Sequence, residues 1–192
     1  MATNTAAPKR SPRERLLAAA NELFYTEGVQ TVGIDRIIEH AGVAKASLYN
    51  TFGSKEALVR AYLETRHAKT IERLRSAVAK QVDPRARLLA VFDAQGAVFT
   101  QPGFHGCPFA AASTEAPHGG LVEQASDDYR REIRALFTEL AAQAGAPDPT
   151  NLARQLHVVY DGAGLSARMD RDPSVAVVSR ATAERLLDAA LR

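Results

Sequence analysis

Four times along the chain a serine or aspartate stands directly before a proline: Ser11 before Pro12, Asp83 before Pro84, Asp148 before Pro149 and Asp172 before Pro173. Proline has no amide hydrogen, which costs nothing in the first turn of a helix. The preceding side-chain oxygen accepts one of the amides that this turn leaves unpaired. Each pair therefore predicts a helix start, with proline at the first helical position. Ser11 also has Glu14 three residues on, completing a capping box. Cys107 before Pro108 predicts a fifth, weaker start. Valine and isoleucine are scattered, and no convincing strand pattern appears. The expected fold class is all-α, with about nine helices.

The first helix places Leu16, Leu17, Ala20, Leu23 and Phe24 on one face and is expected to end at Gly28 in a left-handed cap. A second fits 34–40 and a third 45–51, around a turn at Ala41, Gly42 and Val43. Ser54 is expected to cap a long fourth helix reaching about residue 82. Further helices fit 84–100, 108–116, 119–144, 149–169 and 173–191.

With 192 residues, 46% of them hydrophobic and 24% charged, the chain can bury one ordinary core, or a small and a larger one, and wholesale disorder is excluded. A single cysteine excludes an internal disulfide and a multi-cysteine zinc site, and suits a reducing cytosol. The first fifteen residues hold no apolar stretch long enough for a signal peptide, and no run of about 18 apolar residues occurs, so no membrane partner is expected. Charge is unevenly spread: residues 1–80 carry 13 Lys and Arg against 8 Asp and Glu, and residues 81–192 carry 11 against 14. A basic amino-terminal portion hints at a polyanion, although ordinary scatter of solvated charge gives the same count.

The informative stretch is residues 34–52. Two short helices around a turn containing Gly42 fit a helix-turn-helix. Ile34, Ile37, Ile38, Val43, Leu48 and Phe52 are spaced to bury one shared face, with Leu48 and Phe52 toward the first helix. Lys45, Ser47, Tyr49, Asn50 and Thr51 remain for the outer surface. Lysine and asparagine hydrogen-bond base edges and hydroxyls reach phosphates, as a major-groove reader needs. Spacing alone fits a three-helix bundle with a polar solvent face equally well.

Residues 13–59 resemble the DNA-binding head of the tetracycline-repressor (TetR) family of bacterial transcriptional regulators. The matching pieces are Ala20, Leu23, Phe24 and Gly28; Ile37, Ala41, Gly42 and Val43; Lys45, Ala46, Ser47, Leu48 and Tyr49; and Phe52, Gly53, Ser54, Lys55, Glu56, Ala57 and Leu58. The resemblance implies a DNA-binding domain over 1–54 with a basic amino-terminal arm, and an effector-binding and dimerisation domain over 55–192. It also implies that Lys45 and Ser47 contact phosphate or base edges and that Tyr49 contacts phosphate. Asn50 and Thr51 would help to set the operator choice, and Lys55 would lie close to the DNA backbone. Three departures stand out. Gly33 replaces a frequent Ser or Thr, leaving only its backbone amide for a phosphate; Ala44 replaces a frequent Ser cap; Ile38 replaces a frequent Ala. Lys9, Arg10, Arg13 and Arg15 could form the arm, or a solvated terminus.

The implied partners are a double-stranded operator, a second copy of the chain and a small-molecule effector, in a bacterial cytoplasmic protein that joins the nucleoid when bound. No cofactor, no metal and no catalytic residues are expected. Residues 94–114 hold no Asp, Glu, Lys or Arg, and are expected to be buried or to line a cavity. Phe92, Phe99, Phe109, Tyr129 and Phe137 are the candidate effector-lining residues, with plain core packing as the other reading. Cys107, beside a helix start and two residues after His105, is a candidate redox or electrophile sensor, or the centre of a small thiol enzyme, against an inert buried thiol. His105, Cys107, His118 and His157 match no trusted metal spacing. Val158, Tyr160, Gly162, Ala163, Gly164 and Leu165, with Ala176, Val177, Ala181, Ala183, Leu186, Leu187 and Ala190, form two weakly charged bands that fit either an intramolecular helix pair or a two-fold dimer interface through the last two helices.

Overall fold

The computed structural model describes residues 10–114 and 116–192. Among them are nine helices and no strand: α1 (Pro12–Glu27), α2 (Ile34–Ala41), α3 (Lys45–Phe52), α4 (Lys55–Ala79), α5 (Pro84–Phe99), α6 (Pro108–Ser113), α7 (Leu121–Gln143), α8 (Pro149–Met169) and α9 (Val175–Ala190). The capping logic holds at α1, where Ser11 Oγ accepts from the Glu14 amide at 3.2 Å and Glu14 accepts from the Ser11 amide at 2.7 Å. Asp83 caps α5 through the Ala86 amide at 2.8 Å, and Asp148 caps α8 through the Asn151 amide at 3.0 Å. Ser54 caps α4 through the Ala57 amide at 3.1 Å.

Asp172 does not cap a helix that starts at Pro173. Its carboxylate folds over Ser174, accepting from the amide at 2.8 Å and the hydroxyl at 2.7 Å, and α9 opens only at Val175. The local aspartate-to-serine turn wins because it takes up the amide that the helix start would otherwise use. Gly28 ends α1 with φ 93° and ψ 150°, a positive φ outside the left-handed helical region expected of it. Asp161 and Gly162, which in isolation spell a hairpin turn, lie inside α8.

The chain divides into two compact units, with the division between Tyr62 and Leu63. This is eight residues beyond Ser54, because the first turns of α4 complete the amino-terminal core. Leu58 and Tyr62 are buried with Leu16, Ala20, Phe24, Ile37 and Leu48, and the Phe24 and Tyr62 rings meet edge to face at 5.6 Å. In the second unit, α7 buries Val122, Ala125, Tyr129, Ile133, Phe137 and Leu140, a helical stripe, while α5 buries Leu88, Val91, Phe92 and Phe99.

The charge-free stretch is only partly interior. Phe99, Gly106, Phe109 and Ala112 are buried, whereas residues 100–103 form an exposed turn and Ala110, Ala111, Ser113 and Thr114 face solvent. Lack of charge there reflects turn and small residues as much as burial.

α5 and α9 pack at close range. A Cβ built on Gly96 would stand 2.6 Å from Ala176 Cβ, which is fixed to its backbone and has no rotamer to yield. Gly96→Ala is therefore expected to destabilise the protein by about 1–2 kcal/mol, the crowding outweighing the helix propensity gained. A lower urea midpoint with an unchanged slope is the check.

Candidate nucleic-acid interface

The turn between α2 and α3 rests on Gly42, at φ 61° and ψ 42°. In this left-handed position its amide donates to Glu39 O at 3.0 Å, and the Val43 amide donates to Ile38 O at 3.1 Å. The two bonds close α2 in a Schellman motif, which side chains with a Cβ resist. From α1, Arg15 Nη1 donates to the Gly42 carbonyl at 3.0 Å, and the Arg13 guanidinium lies 5.6 Å from the Phe52 ring centre. Arg36 pairs with Glu27 at 2.7 Å, and His40 meets Glu22 at 3.1 Å. These contacts tie α2 and α3 to α1.

With Leu48 and Ile37 fully buried, α3 has one possible outward face. Lys45, Asn50 and Thr51 are exposed, Tyr49 is 44% exposed, and Ser47 and Lys55 are half-buried. Lys45 Nζ donates to Asp35 Oδ1 at 2.9 Å, and this bond raises the lysine pKa above its ordinary value. Thr51 Oγ1 donates to Ser47 O at 2.6 Å, so its proton is committed and its lone pairs remain to accept. Partial burial pulls the Lys55 ammonium below its usual pKa range. Gly33 is exposed and opens α2, and Ala44 opens α3, both without a side-chain cap. Uncapped first-turn amides, with the helix dipole behind them, favour anions. Lys45, Tyr49, Asn50 and Thr51 thus belong to one solvent-facing helix, and Gly33 and Lys55 to the starts of its two neighbours.

Of the basic arm, Lys9 lies outside the described residues. Arg10 is exposed, while Arg13 and Arg15 are engaged on Phe52 and Gly42 as above. Sequence reasoning missed Arg15 as a clamp and Asp35 as the partner of Lys45, because nothing local links residue 15 to 42, or 35 to 45.

In the second unit the five candidate effector residues are packed against other rings. Phe92 and Phe137 lie 5.6 Å apart and both meet Tyr160, at 6.3 and 5.9 Å. Phe109 stacks on Tyr129 at 3.8 Å, with His67 edge-on to both, and Phe99 meets Phe104 at 5.2 Å. None of the five lines the cleft of about 430 Å³ whose walls are Arg130, Arg134, Arg154, His157 and Val158. Burial pushes the Tyr160 phenol up to about 12. Cys107 stands at the N-cap of the six-residue α6, where burial pushes its thiol pKa up against the lowering effect of the Phe109 and Ala110 amides. His118 is exposed beside Glu123, whereas His157 is buried. Among the described residues, no three or more His, Cys, Asp or Glu are gathered as metal ligands.

Of the two bands on the last helices, Tyr160, Ala163, Gly164, Ala183 and Leu187 are turned inward. Val158, Gly162, Leu165 and Met169 on α8, with Val177 and Val178 on α9, face solvent. No helix among the described residues is long and apolar enough to cross a membrane.

A helical head of this kind, with a buried α3 seat and a polar outer face, has the form of a helix-turn-helix domain. The family described as bacterial regulatory proteins, tetR family, matches residues 16–62. A solved TetR-family transcriptional regulator from Streptomyces coelicolor superposes with a TM-score of 0.89 at 32% identity, covering 94% of this chain and 96% of that one. The transcriptional repressor NemR of Escherichia coli is 29% identical over 170 residues, 83% of this chain and 85% of its own. The transcriptional activator FasR of Mycolicibacterium smegmatis is 37% identical over 87 residues, 45% of this chain but only 40% of its own. The chain belongs to the TetR family of bacterial transcriptional regulators.

If the Gly42 turn seats α3, Gly42→Ala should lower stability by about 1–2 kcal/mol, the cost of a Cβ in the left-handed region. Thermal melting followed by circular dichroism measures it.

Proposed function

We propose that the protein is a homodimeric, effector-responsive repressor that places residues 45–51 of two copies in successive major grooves of a roughly palindromic operator. The observation that carries this reading is the single outward face of α3, which presents Lys45, Tyr49, Asn50 and Thr51 against a fully buried Leu48. On that reading Asn50 and Thr51 read base edges: the asparagine amide offers a donor and an acceptor, and Thr51 has its lone pairs free of its own proton. Lys45, Ser47, Tyr49, Lys55 and the Gly33 amide hold phosphates.

Two heads must lie about 34–36 Å apart to meet one side of a duplex. Gly162, Leu165 and Met169, which recur at helical spacing on α8, and Val177 and Val178 on α9 face solvent and support a dimer through those helices. An effector in the second unit that prefers a head spacing unsuited to DNA would release the operator, and bound operator would weaken the effector in equal measure. α4, which runs through both units, is the element proposed to carry that coupling. Repression rather than activation follows NemR, a named repressor matched over most of its length, in preference to FasR, a named activator matched over less than half.

The test is gel retardation with duplexes selected from a random pool at stated salt. Tyr49→Ala and Lys55→Ala should weaken binding to all sequences alike and reduce the salt slope by about one unit each. Asn50→Ala should instead change the preferred base, by about 1–3 kcal/mol of discrimination. Wild-type retardation by all three variants would defeat the docking.

The thiol-sensor reading of Cys107 finds no support in the site's electrostatics, since a reactive cysteine needs a lowered pKa and this one is raised by burial. Cys107→Ala is expected to keep both operator binding and effector release. Binding kept with release lost, or loss of a chemical turnover, would turn the reading toward a thiol switch or a thiol enzyme.

A further inference from the structure

We propose that the cleft between α7 and α8 binds a small organic acid through its carboxylate or phosphate group. The cleft is open to solvent on one side and holds about 430 Å³, room for a compact organic molecule, and its walls are Arg130, Arg134, Arg154, His157 and Val158. Arg130 and Arg134 stand one turn apart on α7, and Arg154, His157 and Val158 stand within one turn on α8. Three guanidiniums and an imidazole therefore converge on one space from two packed helices.

The charges there are not balanced from within. Arg130 Nη1 donates to Asp161 Oδ2 at 2.6 Å, and that carboxylate is the acidic partner at the site. Arg134 and Arg154 make no ion pair among the described residues. Like charges gathered at one cleft repel one another, and an oxyanion received in bidentate fashion relieves that repulsion.

His157 gives the second, independent indication. Its side chain is 3% exposed, yet it lines the cleft, and its buried Nε2 has no hydrogen-bond partner among the described residues. Asp161 Oδ1 is 3.5 Å away and does not complete a hydrogen bond. A buried ring nitrogen left without a partner costs free energy that an acceptor in the cleft would recover. The exposed Val158 supplies an apolar wall, so the fit is to an acid with a carbon skeleton rather than to a bare ion. This names the chemical class of the effector within the proposed function, and rests on that reading only for its consequence on DNA.

The experiment is calorimetric titration of the full chain, without DNA, using benzoate, phenyl phosphate and inorganic phosphate as probes and benzamide as an uncharged counterpart. Benzoate or phenyl phosphate should bind, and which of them binds more tightly decides between carboxylate and phosphate. Benzamide should not bind. Arg134→Ala and Arg154→Ala should each weaken the bound acid about tenfold, the value of one charge-assisted contact. His157→Phe, which keeps a ring and removes Nε2, should weaken it severalfold. Arg131→Ala, on the same helix but paired with Asp128 at 2.8 Å, should leave it unchanged.

The proposal is overturned if no acid binds at millimolar concentration, if benzamide binds as well as benzoate, or if the two cleft arginine variants bind like wild type. It is also overturned if the Arg134→Ala, Arg154→Ala double variant binds no differently but sediments as a monomer where wild type is a dimer. That result would assign the arginines to carboxylates of a second copy. Because no DNA is present, failure here leaves the operator-binding proposal standing, and failure of operator binding leaves the cleft to be judged on its own.

Discussion

The left-handed turn at Gly42 sets the terms for the amino-terminal unit, and Arg15 adds a hydrogen bond to its carbonyl. Gly42 alone allows the chain to reverse between α2 and α3, because its left-handed backbone carries no Cβ. The turn's own amides face back onto Ile38 and Glu39, leaving the Gly42 oxygen pointing away from them. Arg15 takes that oxygen from α1, so the angle between the two short helices is held by a third. Eight-residue helices are too short to be stable alone, and here each borrows its stability from Leu16, Ala20 and Phe24.

That dependence explains which parts were legible in the sequence. Helix starts are local: a Ser or Asp oxygen reaches an amide three residues on, so α1, α5 and α8 could be placed to the residue from Ser11, Asp83 and Asp148. Asp172 shows the limit of the same rule, since an equally local bond to Ser174 displaced the start of α9. The outward face of α3 was legible because Leu48 and Phe52 must face one way, leaving Lys45, Tyr49 and Asn50 the other. The domain boundary was not, because the burial of Leu58 and Tyr62 depends on Phe24, more than thirty residues earlier.

The second unit was harder to read for a different reason. An aromatic residue packs in a core and lines a cavity by the same chemistry, and sequence spacing does not distinguish the two. Phe92, Phe137 and Tyr160 pack on one another, as do Phe109, Tyr129 and His67. Arg130, Arg134 and Arg154 were passed over because charged residues on a helix read as solvated surface. Only the pairing of α7 with α8 reveals that they share a space with a buried histidine.

The Lys45–Asp35 pair bears on how such a head would find its target. A phosphate brought up to Lys45 meets the Asp35 carboxylate as well, so each encounter with arbitrary duplex is discounted by a nearby like charge. A reader discounted in this way lets go of the wrong stretch sooner, spends more of its time travelling, and leaves the decision to stay with the groups that distinguish one base pair from another.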